Sequence, residues 1–567
     1  MRKNKWLAFG LAAVMAVCAA GCSTPNTSVE SAAAPQAGGV DTPSGEQGSA
    51  GGDASGQAAS PGSKVLRFSY TADIATIDPN KTNAVADATV SYHLYDGLYR
   101  NVQGDIQPAT AQSYEVSDDG LVYTFHLRED AKWSDGVGVT AHDYAYGMHR
   151  LCDPAAACPS SYLGAVLKNG AAISAEELPL EELGVKAIDD YTLEITLENP
   201  ADYFLGMLSM SAFAPVRQDL VEKYGAEFGG GADKQAYNGP FKVTAYGEGK
   251  LVMAKNEAYY DADKVKLDGV EILTVADRTT AVSMFDAGDL DLVEVPTELA
   301  PQYEGKTLSY YNGSDDYAAL NHKNQYLANK NLRLAMNYAI NREEYILLTH
   351  SGLYDPNLRY VLPQVHGVDG DYGTEYPLEA FPVIGDQEKA QEYLEAALSE
   401  LNLSSASDIT LKLVVSDNDA AKKEAEVVVN QWKNNLGINV EINMVPYATR
   451  NALLVPDSDE FDIIMTGWAP DYSDPYSYLE LWYSTSGYNY LNYKSETYDK
   501  YLDASKTTKG KERMDNLFEA EKTLLEDGAL VPLQFRQIQY MVSDRVQNLG
   551  AYFVGLDYNF VYTDMTE

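Results

Sequence analysis

Hydrophobic patterning divides this chain into three stretches. Trp6 to Ala20 is an unbroken apolar run. Residues 23–63 carry almost no large apolar side chain, and patterned hydrophobicity begins only at Lys64-Val-Leu-Arg-Phe-Ser-Tyr. Beyond that point, residues 114 to 128 predict strand, turn, strand. Tyr123, Phe125 and Leu127 alternate, and Asp119-Gly120 supplies the turn. Thr140 with Asp143 forms a capping pair that opens a helix through about Arg150. Val185 to Leu197 reads as a second hairpin around Asp189-Asp190. Helical periodicity then takes over: Leu332, Ala335, Met336, Ala339 and Ile340 share one face, and Asn341 with Glu344 caps the next helix, which stops at Gly352. Ile409, Leu411, Leu413 and Val415 alternate as a strand. Val428, Val429, Trp432 and Leu436 form a helical face closed by Gly437, and Ile438, Val440, Ile442 and Met444 alternate again. That is a β-α-β unit, whose strands should be parallel with a right-handed crossover. Phe461 to Trp468 predicts a third strand. Ligands of open α/β sheets sit beyond the carboxyl ends of strands, which makes the segment after Trp468 a candidate site.

Length and charge narrow the picture. A chain of 567 residues, 45% of them hydrophobic, is long enough for two or three domains. With 83 acidic against 42 basic residues the net charge is -41, which repels phosphate backbones and argues against nucleic acid as a partner. It equally disfavours docking on anionic lipid through charge alone. Tyrosine outnumbers phenylalanine 42 to 14, and a large ring with a polar tip suits wet recognition surfaces.

The first residues carry a processing signal. Arg2, Lys3 and Lys5 precede an apolar core too short to span a bilayer comfortably, and the run ends in Ala19-Ala20-Gly21-Cys22. Small residues before a cysteine resemble a lipobox, in which Cys22 receives a diacylglycerol and becomes the mature N-terminus. The alternative is a plain secretory signal with a chance cysteine. Residues 23–63 then serve as a disordered tether, reaching roughly 35 Å as a flexible coil. Cys152 and Cys158 bracket Asp-Pro-Ala-Ala-Ala and could close a small disulfide loop in an oxidising compartment.

Catalytic signatures are missing. The sequence holds no His-Glu-x-x-His and no Gly-x-Ser-x-Gly after a strand. Gly305-Lys306-Thr307 echoes the end of a P-loop, but Ala300 stands where its first glycine belongs. Asp261, Asp263 and Asp268 fail as a calcium loop at Val265 and Lys266. Seven histidines are scattered singly, so no metal or other cofactor is implied.

Several separated segments resemble the peptide-binding proteins of ABC importers, the group with oligopeptide-, dipeptide- and nickel-binding members. They are Ile77-Asp78-Pro79 with Leu94-Tyr-Asp-Gly-Leu98, and the stretch Pro108 to Asp143 containing Ser-Asp-Asp-Gly, Tyr-Thr-Phe-His-Leu-Arg and Lys-Trp-Ser-Asp-Gly. Asn238 to Lys242, Asn256 to Tyr260, Phe285 to Asp291 and Asn331 to Arg342 extend the likeness. The resemblance implies an α/β protein of the type 2 periplasmic-binding-protein fold, with two lobes closing about a hinge and an extra β-rich lobe. Residues 64–100, 236–314 and 529–567 would form lobe I. Residues 101–235 would form the extra lobe, and 315–528 the second closing lobe.

The same resemblance assigns a site. Gly467-Trp468-Ala-Pro-Asp471-Tyr is similar to the family's Gly-Trp-x-x-Asp-Tyr, whose aspartate receives a peptide's free α-amino group. A buried cation needs such an acceptor. Asp471 could otherwise be a turn or cap residue before Pro475. Trp468 would wall an apolar pocket or serve the core, and backbone around Gly467 and Ala469 could pair with a peptide as an added strand. Asp87 falls where oligopeptide binders place an acid near the first ligand residue. Tyr162 is similar to a tyrosine of the extra lobe, and Asn489 and Arg450 are further candidates. Where some members carry an arginine for the ligand carboxylate, this chain has Met465, which leaves that carboxylate without an assigned partner.

These readings together point to an extracytoplasmic, lipid-anchored, monomeric protein that delivers short peptides to an ABC permease and its ATPases and is not an enzyme. The competing readings are capture of nickel, haem or sugar on the same fold, a receptor for signalling peptides, and a secreted hydrolase.

Overall fold

The structure, a computed structural model, describes residues 63–566 except 83, 103 and 553. Cys22 and the tether up to residue 62 lie outside the described residues.

Strand Val65–Tyr70 buries Leu66 and Phe68 on one face and runs parallel to Gly269–Thr274. Lys250–Lys255 and Phe241–Gly247 continue this four-stranded sheet in antiparallel fashion. A second antiparallel sheet has the order Ala111–Val116, Val122–Leu127, Thr192–Thr196, Val185–Asp189. Both expected hairpins are present in it. At the first turn Gly120 takes φ +74°, a left-handed conformation that glycine adopts without a Cβ clash. Helix Ala141–Cys152 opens on the expected Thr140/Asp143 capping box and lays Tyr144, Met148 and Leu151 into the core. The buried side chains of the two sheets belong to one continuous hydrophobic cluster.

The third sheet has seven strands. Its main path is Leu292–Glu294, Leu530–Val542, Leu308–Leu320, Ile463–Trp468, Thr410–Ser416, Asn439–Val445, and Asp355–Pro356 pairs on Leu530–Val542. The expected β-α-β unit is here. Thr410–Ser416 and Asn439–Val445 are parallel, joined by helix Asp419–Leu436, which is capped by Asn418 and ended by Gly437 at φ +76°. Asn439–Val445 is an edge strand, so its burial falls short of the alternating pattern: Val440 and Ile442 are half-buried and Met444 is exposed. One face of the sheet packs on Tyr317, Tyr360, Tyr478 and Trp482, the other on Met336, Trp432 and Leu436.

Two strands of 13 residues each, Leu308–Leu320 and Leu530–Val542, run out of this sheet towards the first. Their pairing is broken between Tyr311 and Asp315, where Gly313 takes φ +84°. Beyond the break, Tyr310, Tyr540 and Tyr558 form edge-on and tilted contacts, and Tyr558 meets Phe68 of the first sheet. Arg67 grips Asp291 with two side-chain hydrogen bonds of 2.9 and 3.0 Å.

One expectation fails. Cys152 and Cys158 are separate buried thiols, not a disulfide. The Cys158 Sγ faces the Arg150 carbonyl at 3.3 Å, while Cys152 Sγ occupies the space over Gly164. Burial pushes the Cys152 thiol up to about 12, so it stays protonated and unreactive.

Candidate functional site

The site grows from the end of strand Ile463–Trp468. This strand pairs antiparallel with Leu308–Leu320, setting Gly467 opposite Asp316 and Trp468 opposite Asp315. The approach is tight. A Cβ on Gly467 would overlap the Asp316 carboxylate and stand 2.6 Å from the Asp315 carbonyl oxygen. Both aspartates are buried. Asp316 is satisfied by Arg536 at 2.9 Å and Gln534 at 3.0 Å. Asp315 accepts the Trp468 backbone N–H, and burial holds its carboxyl well above the usual range. The strand end is thereby fixed, and so is the direction in which the chain leaves it.

The loop that follows is braced from within. The Trp468 indole N–H donates to the Ser477 carbonyl at 2.8 Å, and the Asp471 N–H donates to Ser477 Oγ at 3.0 Å. Asp474 is held by both terminal nitrogens of Arg513, each at 2.8 Å, and the pair is almost fully buried. Asp471 is treated differently. Its carboxylate accepts the Tyr162 hydroxyl at 2.8 Å. Among the described residues, no lysine, arginine or histidine pairs with it. Burial pushes its pKa up, and the Tyr162 hydrogen bond partly opposes that. A half-buried carboxylate without a protein cation is an electrostatic demand for one.

Asp471 faces two cavities. The larger, of about 690 Å3, lies between the 82–106, 159–163 and 202–212 segments on one side and 366–368, 469–474 and 510–514 on the other. The smaller, of about 390 Å3, branches off past Tyr162, Tyr203 and Tyr472 towards Trp468, Glu480 and Tyr488. Further contacts join the two walls of the cleft besides Tyr162–Asp471. Tyr203 stacks on Tyr472 at 4.3 Å, the Gly510 N–H donates to Asp202 at 2.9 Å, and His366 Nε2–H donates to the Gly104 carbonyl at 3.1 Å.

The structure brings some of the expected residues together and not others. Asp471, Tyr162 and Ala469 line the larger cavity, and Asp471, Tyr162 and Trp468 the smaller. Gly467 lines neither and acts through close packing. Asp87 does not reach the cleft. It is 2% exposed and turns inward to accept the Ala75 N–H at 2.8 Å, while its helix neighbours Val85 and Ala88 line the cavity. Asn489 is buried too, and it braces its own loop through Tyr493 N–H and C=O. Arg450 also lies off the cavities, donating to the Met465 carbonyl at 2.7 Å. Sequence reasoning missed Tyr203, His366, Glu480 and Arg513. Only Glu480 had a local signal, one helical turn beyond Tyr476 in the segment that follows Asp471.

Comparison with known proteins agrees with this architecture. The family model described as "Bacterial extracellular solute-binding proteins, family 5 Middle" matches residues 105–490. The oligopeptide-binding protein OppA of Bacillus subtilis is 29% identical over 500 residues, covering 86% of this chain and 90% of its own. The periplasmic oligopeptide-binding protein OppA of Salmonella typhimurium is 31% identical over 475 residues, covering 82% and 85%. Among solved structures, Listeria monocytogenes OppA bound to peptide superposes with a TM-score of 0.71 at 32% identity, covering 89% of this chain and 100% of that one. The chain belongs to family 5 of the bacterial extracellular solute-binding proteins. Its fold is that of the type 2 periplasmic binding proteins.

Proposed function

We propose that this protein captures short peptides outside the cytoplasm and hands them to an ABC-type importer, with Asp471 receiving the peptide's free α-amino group. The observation that carries this reading is the half-buried Asp471 carboxylate, which faces the cleft with a tyrosine hydroxyl and no protein cation among the described residues. Asp474, in the same loop, has Arg513. The missing positive charge at Asp471 is what a peptide N-terminus supplies. The relatives point the same way by name: the two OppA proteins are called oligopeptide-binding, and the Listeria structure is of a complex with peptide. Calorimetric titration with a short peptide, free and N-acetylated, tests the reading. The free form binds and the acetylated form loses about 100-fold, the cost of leaving a buried charge unpaired. Equal affinity for the two would sink the assignment of Asp471.

The lobes expected from the sequence move as units in this account, and the hinge is the pair Leu308–Leu320 and Leu530–Val542 at the break near Gly313. Residues 64–100, 236–314 and 529–567 would form one body with the 101–235 lobe, and 315–528 the other. Ligand closes them, and the permease reads the closed form. X-ray scattering should give a smaller radius of gyration with saturating peptide, and superimposable profiles would contradict closure. The protein acts as a monomer held to the extracytoplasmic face of the cell membrane by lipid on Cys22. A Cys22→Ser protein released to the medium supports the anchor, and one retained in the membrane fraction refutes it.

A further inference from the structure

The smaller cavity is more than a branch of the cleft. Tyr203, Trp468, Tyr472, Tyr476 and Tyr488 contribute to its walls. Its charged lining residues are Glu198, Asp471 and Glu480, and no lysine, arginine or histidine lines it. Glu198 stands exposed at the mouth and already accepts the Asn169 N–H. Glu480 is half-buried, accepts a hydrogen bond from the Tyr472 hydroxyl at 3.2 Å and has no cation within ion-pair distance among the described residues. The nearest candidate for neutralising it, Lys506, is engaged elsewhere, bonded to Asp503 and lying over the Tyr483 ring at 4.4 Å.

An acidic, aromatic, cation-free cavity has a definite chemical preference. Aromatic faces and a carboxylate attract a cation together, and both attractions strengthen where water is excluded. The protein builds this arrangement once with its own residues. The Arg513 guanidinium lies 5.3 Å over Tyr203 while paired to Asp474. Tyr203 also stacks on Tyr472, whose hydroxyl donates to Glu480, and there the aromatic and acidic surroundings have no internal cation among the described residues.

We propose that this cavity is a specificity pocket for a cationic side chain, lysine or arginine, next to the peptide's free amino end, with Glu480 as the residue that selects it. The position follows from Asp471, which borders both cavities: a peptide whose α-amino group sits on Asp471 places its nearest side chain at the branch. The inference rests on the peptide-binding reading and deepens it. The apolar parts of a lysine or arginine stem suit the ring-lined walls, and the charged end meets Glu480.

The test is a set of tetra-alanine peptides carrying lysine, arginine, norleucine or glutamate at each of the first three positions in turn, titrated calorimetrically into the full protein and its Glu480→Gln variant. The expected result is a lysine-over-norleucine ratio of about tenfold at one position near the amino end, with arginine following lysine and glutamate worst. In the variant that ratio falls towards one. Because the readout is a ratio of affinities within each protein, a general loss of binding in the variant cancels. Peptides that bind without discriminating lysine from norleucine, or that discriminate equally well in the variant, overturn the pocket and leave peptide capture standing. If no peptide of the set binds, both readings fall.

Discussion

The Tyr162 hydroxyl donates to the Asp471 carboxylate at 2.8 Å across a separation of 309 residues. This single bond spans the cleft, joining the loop after the central strand to a short helical turn on the opposite wall. It also presents the carboxylate: with one lone pair occupied by Tyr162, the rest of the carboxylate is left to a ligand. Tyr162→Phe removes the bond and little else, since the ring is retained. Peptide affinity should fall by about tenfold, the typical worth of a hydrogen bond to a charged group, with thermal stability nearly unchanged. Calorimetry with one peptide on both proteins checks this, and unaltered affinity would mean that Tyr162 is only a surface tyrosine.

Gly467 is required by contact, not by ligand. Its Cα faces Asp315 and Asp316 so closely that Gly467→Ala must push the two strands apart. We expect a destabilisation of about 1–3 kcal/mol, as for overpacked cores, read as a lower urea midpoint. A stability equal to that of the wild type would show that the strand pair has slack there.

Much of this could be read beforehand, and the failures have physical causes. The β-α-β unit, the hairpins and the caps were legible because alternation, 3.6-residue periodicity and turn residues are local signals. Asp471 was legible because a strand end in an α/β sheet and a family motif coincide there. Asp87 was not: sequence placed it near the cleft, but only the helix rotation decides that Val85 and Ala88 face the cavity while Asp87 caps Ala75. Asn489 and Arg450 likewise lie off the two cavities, since a polar side chain serves the backbone as readily as a ligand. Tyr203 and His366 enter from segments remote in sequence, and no spacing rule connects them to Asp471. The cysteine pair shows the limit of proximity in sequence, because Cys152 ends helix Ala141–Cys152 while the Cys158 thiol bonds the Arg150 carbonyl, and the two thiols stay separate.

Glu480 gives a pH signature. Burial first, then the charge of Asp471, pushes its carboxyl from 4.5 up to about 7. Asp474 adds to the rise, while the Tyr472 hydrogen bond and Lys506 oppose it. The folded protein therefore keeps a proton here that the unfolded chain gives up at lower pH. Its contribution to stability is fully present below about 4.5 and is lost as pH rises through about 7. Without ligand, wild type should lose stability relative to Glu480→Gln across that window, by an amount on the order of 1 kcal/mol. Denaturant midpoints of both proteins between pH 4.5 and 8 measure the difference. Parallel curves would place Glu480 in contact with water.

Native mass spectrometry of the purified protein, followed by denaturation to identify what it carries, tests the central claim most directly. The account predicts bound short peptides with free amino ends in the wild type and their loss from Asp471→Ala. A bound sugar, haem or metal, or a peptide ladder that survives the substitution, would contradict it.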